Sequence, residues 1–479
     1  MCAQPAPAPT IVSSSALPGI IRVALATLAA AAIGGVAAQS TTAAPVAALQ
    51  DDRIYQEGVD PAPRVRLMSN LGARIIRVDL RWDLVARRRP ADAADPNDGA
   101  YDWSQYDKIV SAARSNKVAV LFTVWGTPAW AADPRVARNP RFPDWSRRPR
   151  SSSDFGKFGA AAARRYAPRG VRLWEAWNEP NLPLFLRPQH GRSGRSWKPV
   201  SPITYATMLR AFYREVKGVD RRARVAGGVT APSGDRCPLA CPRSEDARVP
   251  PVDFLRALSR PGLRPPMDAV SHHPYPLTNP RSETSSRVAY VDLYNLDRLV
   301  RVVDRTYLRR KPVWLTEFGF ATERVPQYPF HVNRTAQARN LADSYRRLRG
   351  RSRIKMLSWF LLQDNGAWRS GLVSQGGGKK PAFQAYSLPL ATAGRIRGGR
   401  TRLVGQVRPA RKATRLSLER RTRSGWTPTR RIRTAPDGSF ALAVGPSSPT
   451  WFRARWRGKA PSGERVARVS RAVRVGAVT

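Results

Sequence analysis

Cysteine is nearly absent, three residues in 479. Cys2 falls in the N-terminal leader, which leaves Cys237 and Cys241, in CPLAC, for the rest of the chain. Two thiolates cannot by themselves complete a structural zinc site. A small loop-closing disulfide between Cys237 and Cys241 is expected instead, as suits an oxidising compartment. Acidic residues are scarce too: 34 Asp+Glu face 82 Lys+Arg, a formal charge of +48, and 71 of the cations are Arg. That imbalance has two readings, an anionic partner or the Arg- and Ala-rich composition of a GC-rich genome. The Arg residues are scattered and no nucleic-acid-binding module is recognisable, so no specific nucleic-acid partner is expected. No Gly-rich phosphate loop follows the first strand-like segment, which weighs against a doubly wound nucleotide-binding sheet. No metal or cofactor is expected.

A long membrane-spanning run is also missing. Val23–Ala38 is apolar and rich in small residues, but its 16 residues fall short of a span of about 20. It follows Arg22 and precedes a Thr/Ala/Pro-rich stretch, the pattern of a secretory signal. Residues 1–44 are therefore expected to be a leader, the mature chain to lack a transmembrane segment, and the protein to be secreted or associated with the cell envelope. An uncleaved anchor is the alternative.

What is present supports a sizeable core. Hydrophobic residues make up 42% and aromatics 9%, with 14 Trp, so the length fits one large α/β domain and a smaller one. From residue 48, strand-like and helix-like segments alternate. The strands are expected at 48–52, 74–82, 117–125, 171–179, 224–230, 267–275, 311–320 and 354–362. Helical spacing falls at 64–71, 103–116, 155–166, 203–219, 251–259, 291–307, 334–348 and 381–387. The strands are near-continuous apolar runs, as when both faces are covered. Eight such repeats point to a (β/α)8 TIM barrel over 45–390. After residue 391 the helical spacing stops and short alternating runs take over, with a turn signal in APDGS (435–439). Residues 391–479, with 22 Lys+Arg against Glu419, Asp437 and Glu464, are expected to form a small all-β sandwich.

In a barrel the C-terminal strand ends converge on one face. Those ends bring Arg77, Asp79 and Trp82 from strand two, Trp125 from strand three, and Asn178 and Glu179 from strand four. Strand six adds His273 and Tyr275, strand seven Glu317, and strand eight Trp359 and Gln363. Two glutamates with amides, an imidazole, a phenol and aromatic platforms in one mouth suit glycosidic bond cleavage. That reaction needs one protonated carboxyl for the leaving oxygen and one ionised carboxylate at the oxocarbenium-like centre. As alternatives, the two glutamates could be salt-bridge partners of abundant Arg, and Trp125 and Trp130 could be core aromatics.

With WNEPN, HHPYP, LTEFGF and TVWGTPAWA on those ends, the chain resembles a clan A glycoside hydrolase, most like family 39 and neighbouring cellulase-like families. The resemblance covers roughly 48–390. It implies a retaining enzyme with Glu179 as acid/base and Glu317 as nucleophile. It further implies Asn178 on the sugar 2-hydroxyl, Tyr275 and His273 beside the nucleophile, Arg77 keeping it ionised, and Trp359 as the floor under the sugar. His272 is expected to be structural. The Arg-rich loops 133–150 and 181–199 raise the expectation of an acidic or sulfated substrate. The basic sandwich could attach to an anionic cell-envelope polymer, or be an inert packing module. The competing class is a secreted, non-catalytic glycan- or wall-binding protein on a glycosidase-like barrel.

Overall fold

The computed structural model of the chain describes residues 44–235, 245–276, 289–325 and 330–477. Within Ser40–Thr479, a single compact unit, eight strands close a parallel barrel. They are β1 (Val46–Gln50), β2 (Ile75–Arg81), β3 (Ala119–Trp125), β4 (Leu173–Ala176), β5 (Arg224–Thr230), β6 (Ala269–His272), β7 (Val313–Leu315) and β8 (Ile354–Phe360). The principal helices that follow each strand are α1 (Ala62–Leu71), α2 (Ser104–Ser115), α3 (Ser152–Tyr166), α4 (Ser201–Val219), α5 (Pro251–Leu258), α6 (Asp297–Asp304), α7 (Arg334–Leu348) and α8 (Pro381–Ser387). The barrel closes where β1 pairs with both β2, Gln50 opposite Arg77, and β8, Gln50 opposite Phe360.

Strand periodicity explains the interior. Every second residue points inward, and one inward residue per strand builds an apolar floor: Ala48, Ile75, Leu121, Leu173, Ala226, Ala269, Trp314 and Met356. Two residues further along, the inward layer turns polar, with buried Gln50, Arg77, Thr123, Glu175 and Ser271. The outward residues pack under the helices, where one continuous core runs from Ala47 to Tyr386.

The eight repeats match the expected alternation, with local differences that have identifiable causes. The first strand lies two residues earlier than expected, because Asp51 breaks it and its buried carboxylate pairs with Arg64 of α1. The helix expected over 291–307 begins only at Asp297, since Asp292 accepts hydrogen bonds from the Tyr294 and Asn295 amides and holds a turn instead. A two-stranded hairpin, 190–193 with 196–199, sits unforeseen in the loop after β4.

Beyond α8 come β9 (Leu390–Arg395), β10 (Thr401–Gln406), β11 (Arg415–Thr422), β12 (Gly425–Arg433), β13 (Ser439–Val444), β14 (Thr450–Lys459), β15 (Arg465–Val469) and β16 (Val473–Val475). Antiparallel β9, β10 and β13 form one sheet and β11, β12, β14, β15 and β16 the other. Leu403 and Phe440 of the first sheet share a core with Leu418, Phe452 and Trp456 of the second. The sandwich docks on the barrel's N-terminal end, opposite the mouth. Gly72, which ends α1 at φ 101°, lets Arg408 approach so closely that a Cβ would lie 2.4 Å from its backbone. Arg408 is buried between Tyr345 and Tyr386, and Arg74 bonds the Ala410 carbonyl at 2.8 Å.

The disulfide expectation is corrected: among the described residues no disulfide is present, and Cys237 and Cys241 lie in 236–244, outside them. The expected leader, 1–44, also lies outside them save for its last residue. No helix among the described residues is long and apolar enough to cross a membrane.

Candidate active site

The end of β4 is held in a shape its sequence does not adopt easily. Trp177 and Glu179 both take the left-handed backbone region, at φ 73° and 40°, which disfavours residues with a Cβ by about 1–2 kcal/mol each. Neighbouring bonds hold the turn in place. Tyr205 donates to the Ala176 carbonyl at 2.8 Å, and the Trp177 indole donates to Phe185 O at 2.9 Å. Fully buried Asn181 accepts from the Ala231 amide and donates to Val249 O. The break in alternation sets Asn178 and Glu179 side by side at the mouth.

Arg77 is the hub beneath them. It is fully buried, and its guanidinium donates to Glu175 at 3.0 Å, Gln50 at 2.6 Å, Asp79 at 3.3 Å, Glu317 at 2.6 Å and Asn178 Oδ1 at 2.8 Å. Glu175 also accepts from Thr123 and Ser271, each at 2.6 Å. Its carboxyl sits below the usual range: burial raises it, but Arg77 and the other partners outweigh burial. Glu175 is a constituent of the site that the motif reading missed. Its signal was there, since two residues after inward Leu173 it must also face the barrel axis.

Glu317 accepts from Tyr275 at 3.0 Å as well as from Arg77. His273 Nδ1 lies 2.8 Å from Glu179 and 3.7 Å from Glu317. Oxygens of Glu179 and Glu317 and a His273 nitrogen all come within 4.8 Å of one another. Three such atoms have the spacing of a cation site. With Arg77 and Tyr275 already on the two Glu317 oxygens, however, the arrangement is that of a hydrogen-bonded carboxyl pair.

Burial pushes the Glu179 carboxyl up to about 8; Arg77 opposes this and Asp79 adds to it. Burial also raises Glu317, to about 7, with His273 and Arg77 holding it down and Glu179 pushing it up. The order matters more than either value. Glu317, closer to the guanidinium, releases its proton first. Burial lowers His273, and the nearby Glu317 and Glu175 carboxylates oppose it. His272 faces away and bonds Thr230 at 2.9 Å and Val291 O at 3.1 Å, a structural role as expected.

These groups open into a cleft of about 410 Å³, a size typical of ligand pockets. One wall is apolar, with Trp125, Leu182, Leu184 and Phe185. The other is acidic, with Asp52, Tyr55 and Asp79, and Phe360 and Trp368 lie beside Tyr275. Trp368 stacks on Tyr275 at 5.2 Å. Asp52 accepts from Gln50 at 3.0 Å and from Tyr55, and burial with the nearby Asp79 raises it to about 7. Asp52, Tyr55, Phe360 and Trp368 were not anticipated.

Of the expected residues, Arg77, Asn178, Glu179, His273, Tyr275 and Glu317 come together, and Trp125 lines the cleft under the Arg81 guanidinium at 4.2 Å. Trp359 does not join them. It faces outward, packs on Phe318 and Phe320 and donates to Ser370 O at 3.0 Å. Inward parity on β8 falls on Met356, Ser358 and Phe360, so Phe360 occupies the mouth. Gln363 braces a loop through Ser374 and Gln375, and Trp130 packs on Trp82. The cationic wall expected from the long loops is also corrected. Arg135 and Arg148 pair with Asp133, Arg138 with Asp144, and Arg187 with Asp246. The cleft's own Arg81 and Arg248 are bound by Asp83 and Asp235. Local carboxylates bond these cations, no arginine of 133–150 or 181–199 is among the residues that line the cleft, and four acidic side chains line it.

No protein-family profile and no curated protein matches the chain. Solved structures do. A family 39 glycoside hydrolase from Bacteroides cellulosilyticus WH2 is 19% identical over 84% of this chain and 79% of its own, with a TM-score of 0.55. A glucosidase from Croceicoccus marinus is 14% identical over 90% and 97%, with a TM-score of 0.52. A family 39 β-xylosidase from Caulobacter crescentus is 18% identical over 85% and 96%, with a TM-score of 0.50. At such identities the likeness is one of fold. The chain has a (β/α)8 barrel similar in fold to those glycoside hydrolase structures, with a cluster of carboxyl and imidazole groups at the mouth.

Proposed function

We propose that this chain is a secreted, retaining glycoside hydrolase, with a leader over 1–44, a catalytic barrel over 45–390 and a sandwich over 391–479. The observation that carries the reading is the approach of Glu179 and Glu317 oxygens to within 4.8 Å across the mouth. Carboxyls about 5–5.5 Å apart form a glycosyl-enzyme directly, whereas inverting pairs stand about 6.5–9.5 Å apart to admit a water. Glu317, ionised beside Arg77, attacks the anomeric carbon. The bond to the leaving oxygen breaks, and Glu179 supplies that oxygen's proton. In the second half Glu179 takes a proton from water, the water oxygen attacks the same carbon, and the Glu317 ester is released.

Asn178 accepts from Arg77 through Oδ1, which leaves its amide hydrogens to donate to the sugar 2-hydroxyl. Tyr275 holds Glu317, and His273 Nδ1 holds Glu179. Phe360, not Trp359, takes the position at the mouth, and Trp125 supplies an apolar face for a sugar ring. Because four carboxyl side chains line the cleft while its Arg81 and Arg248 are already paired with Asp83 and Asp235, a neutral sugar fits it better than an acidic one.

The test is a panel of activated aryl glycosides of neutral sugars, followed by a 2-deoxy-2-fluoro glycoside of the best sugar. Time-dependent inactivation with the label on Glu317 is expected. A label on another residue, or turnover that survives both Glu179→Gln and Glu317→Gln, would overturn the assignment.

A further inference from the structure

The charge that the cleft lacks is found elsewhere. The outer face of the five-stranded sheet carries an open groove of about 850 Å³ lined by Arg415, Arg430, Arg431, Arg455 and Arg457, with Ser417 and Trp426. Register explains it. On β11, Leu416 and Leu418 are buried in the sandwich core while Arg415, Ser417 and Glu419 face out. Ser417 lies opposite Arg431 on β12 and Arg455 on β14, so a small residue forms the floor between two guanidinium rows. Arg415 stands directly opposite Arg433, a like-charge pairing that destabilises a sheet. The groove has a single carboxylate, Glu419, bonded by Arg453 at 2.6 Å and Arg455 at 2.5 Å. Among the described residues no carboxylate pairs with Arg415, Arg430, Arg431 or Arg457.

We propose that this groove is a binding site for a carboxylate-bearing polysaccharide, which holds the protein on an acidic polymer while the cleft on the opposite end of the barrel acts on a neutral sugar. Glu419 shows on this very surface how a carboxylate is received, by two guanidinium Nε atoms. A uronate chain along the groove extends that arrangement to the cations that lack one. Guanidinium groups match carboxylates in geometry as well as charge. Single-stranded nucleic acid is the weaker fit, because it needs free aromatic faces for its bases. Trp426, the groove's one aromatic, is already covered by the Arg453 guanidinium at 4.3 Å.

The probe is polygalacturonate, with dextran as the neutral control, bound to the full chain at several salt concentrations. Three proteins are compared: wild type, the groove triple Arg415→Gln/Arg431→Gln/Arg457→Gln, and a control triple Arg395→Gln/Arg397→Gln/Arg400→Gln of equal charge change at the β9–β10 connection of the other sheet. Wild type and the control triple bind polygalacturonate, increasingly weakly with salt, and neither binds dextran. The groove triple is weaker by about tenfold, as expected for three exposed ion pairs of ordinary strength, with a shallower salt dependence. Its melting temperature checks the fold. Equal weakening in both triples would assign the effect to diffuse charge and overturn the proposal, as would absence of binding at 0.15 M salt. Groove-dependent binding of single-stranded DNA in preference to polygalacturonate would replace the occupant. Glu179→Gln leaves the binding unchanged, so failure here is separable from failure of the catalytic reading.

Discussion

Glu179→Gln removes activity and adds stability, and the structure sets the size of both effects. The Glu179 carboxyl sits at about 8 in the folded chain against 4.5 as an ordinary glutamate, chiefly through burial. Because the folded value is the higher one, the associated stability is full below about pH 4.5 and is lost as the pH rises through 8. At pH 7 the loss amounts to about 3 kcal/mol. Glutamine keeps the shape and a hydrogen-bonding partner for His273, and it carries no proton to lose. The variant therefore melts a few degrees higher than wild type at pH 7, and the two converge near pH 4. Turnover of substrates with poor leaving groups falls by about 10²–10⁴ from the loss of acid catalysis, while dinitrophenyl glycosides lose much less in the first step. Calorimetry at pH 4 and pH 7, with kinetics on both leaving groups, tests the pair of effects. A Gln variant less stable than wild type at pH 7, or a difference independent of pH, would refute the reasoning.

Other consequences follow from the same geometry. The rate against pH is bell-shaped and narrow around neutrality, falling on the acid side as Glu317 takes a proton near 7 and on the alkaline side as Glu179 loses one near 8; a plateau from pH 4 to 10 would contradict it. Arg77→Lys replaces a five-bonded fork with one ammonium, so the acid limb moves upward and kcat falls by at least tenfold, as a pH profile of the folded variant checks. Arg77→Met leaves Glu175 and Glu317 without their cation and lowers stability by about 3–5 kcal/mol, measurable by urea denaturation. Phe360→Ala raises KM, whereas Trp359→Phe chiefly lowers the melting temperature, since only the first side chain lines the cleft; the reverse pattern would restore Trp359 to the site.

Sequence made the clustered mouth residues legible because they sit just past apolar runs, where a strand end exposes a polar side chain. Eight repeats of run and helix supplied the topology without any pairing information. Parity was harder to read. In IKMLSWFLL both faces are apolar, so no alternation distinguishes Trp359 from Phe360, and a shift of one residue exchanges the two faces. Glu175 went unnoticed for the opposite reason: it lies inside a strand, where a carboxylate is expected only with buried partners, and those partners come from three other strands. The Arg-rich loops misled because composition does not reveal that Asp133, Asp144 and Asp246 sit within reach of their cations. The groove on the sandwich depends on which residues face each other across β11, β12 and β14, and pairing of this kind is absent from the linear sequence.

The most direct test of the central claim is the stereochemistry of the first product, followed by proton NMR during hydrolysis of the best neutral substrate. With Glu317 as nucleophile, the newly released sugar appears first with the anomeric configuration of the substrate and mutarotates afterwards. First appearance of the opposite anomer would show a single displacement by water, and Glu317 would not be a nucleophile.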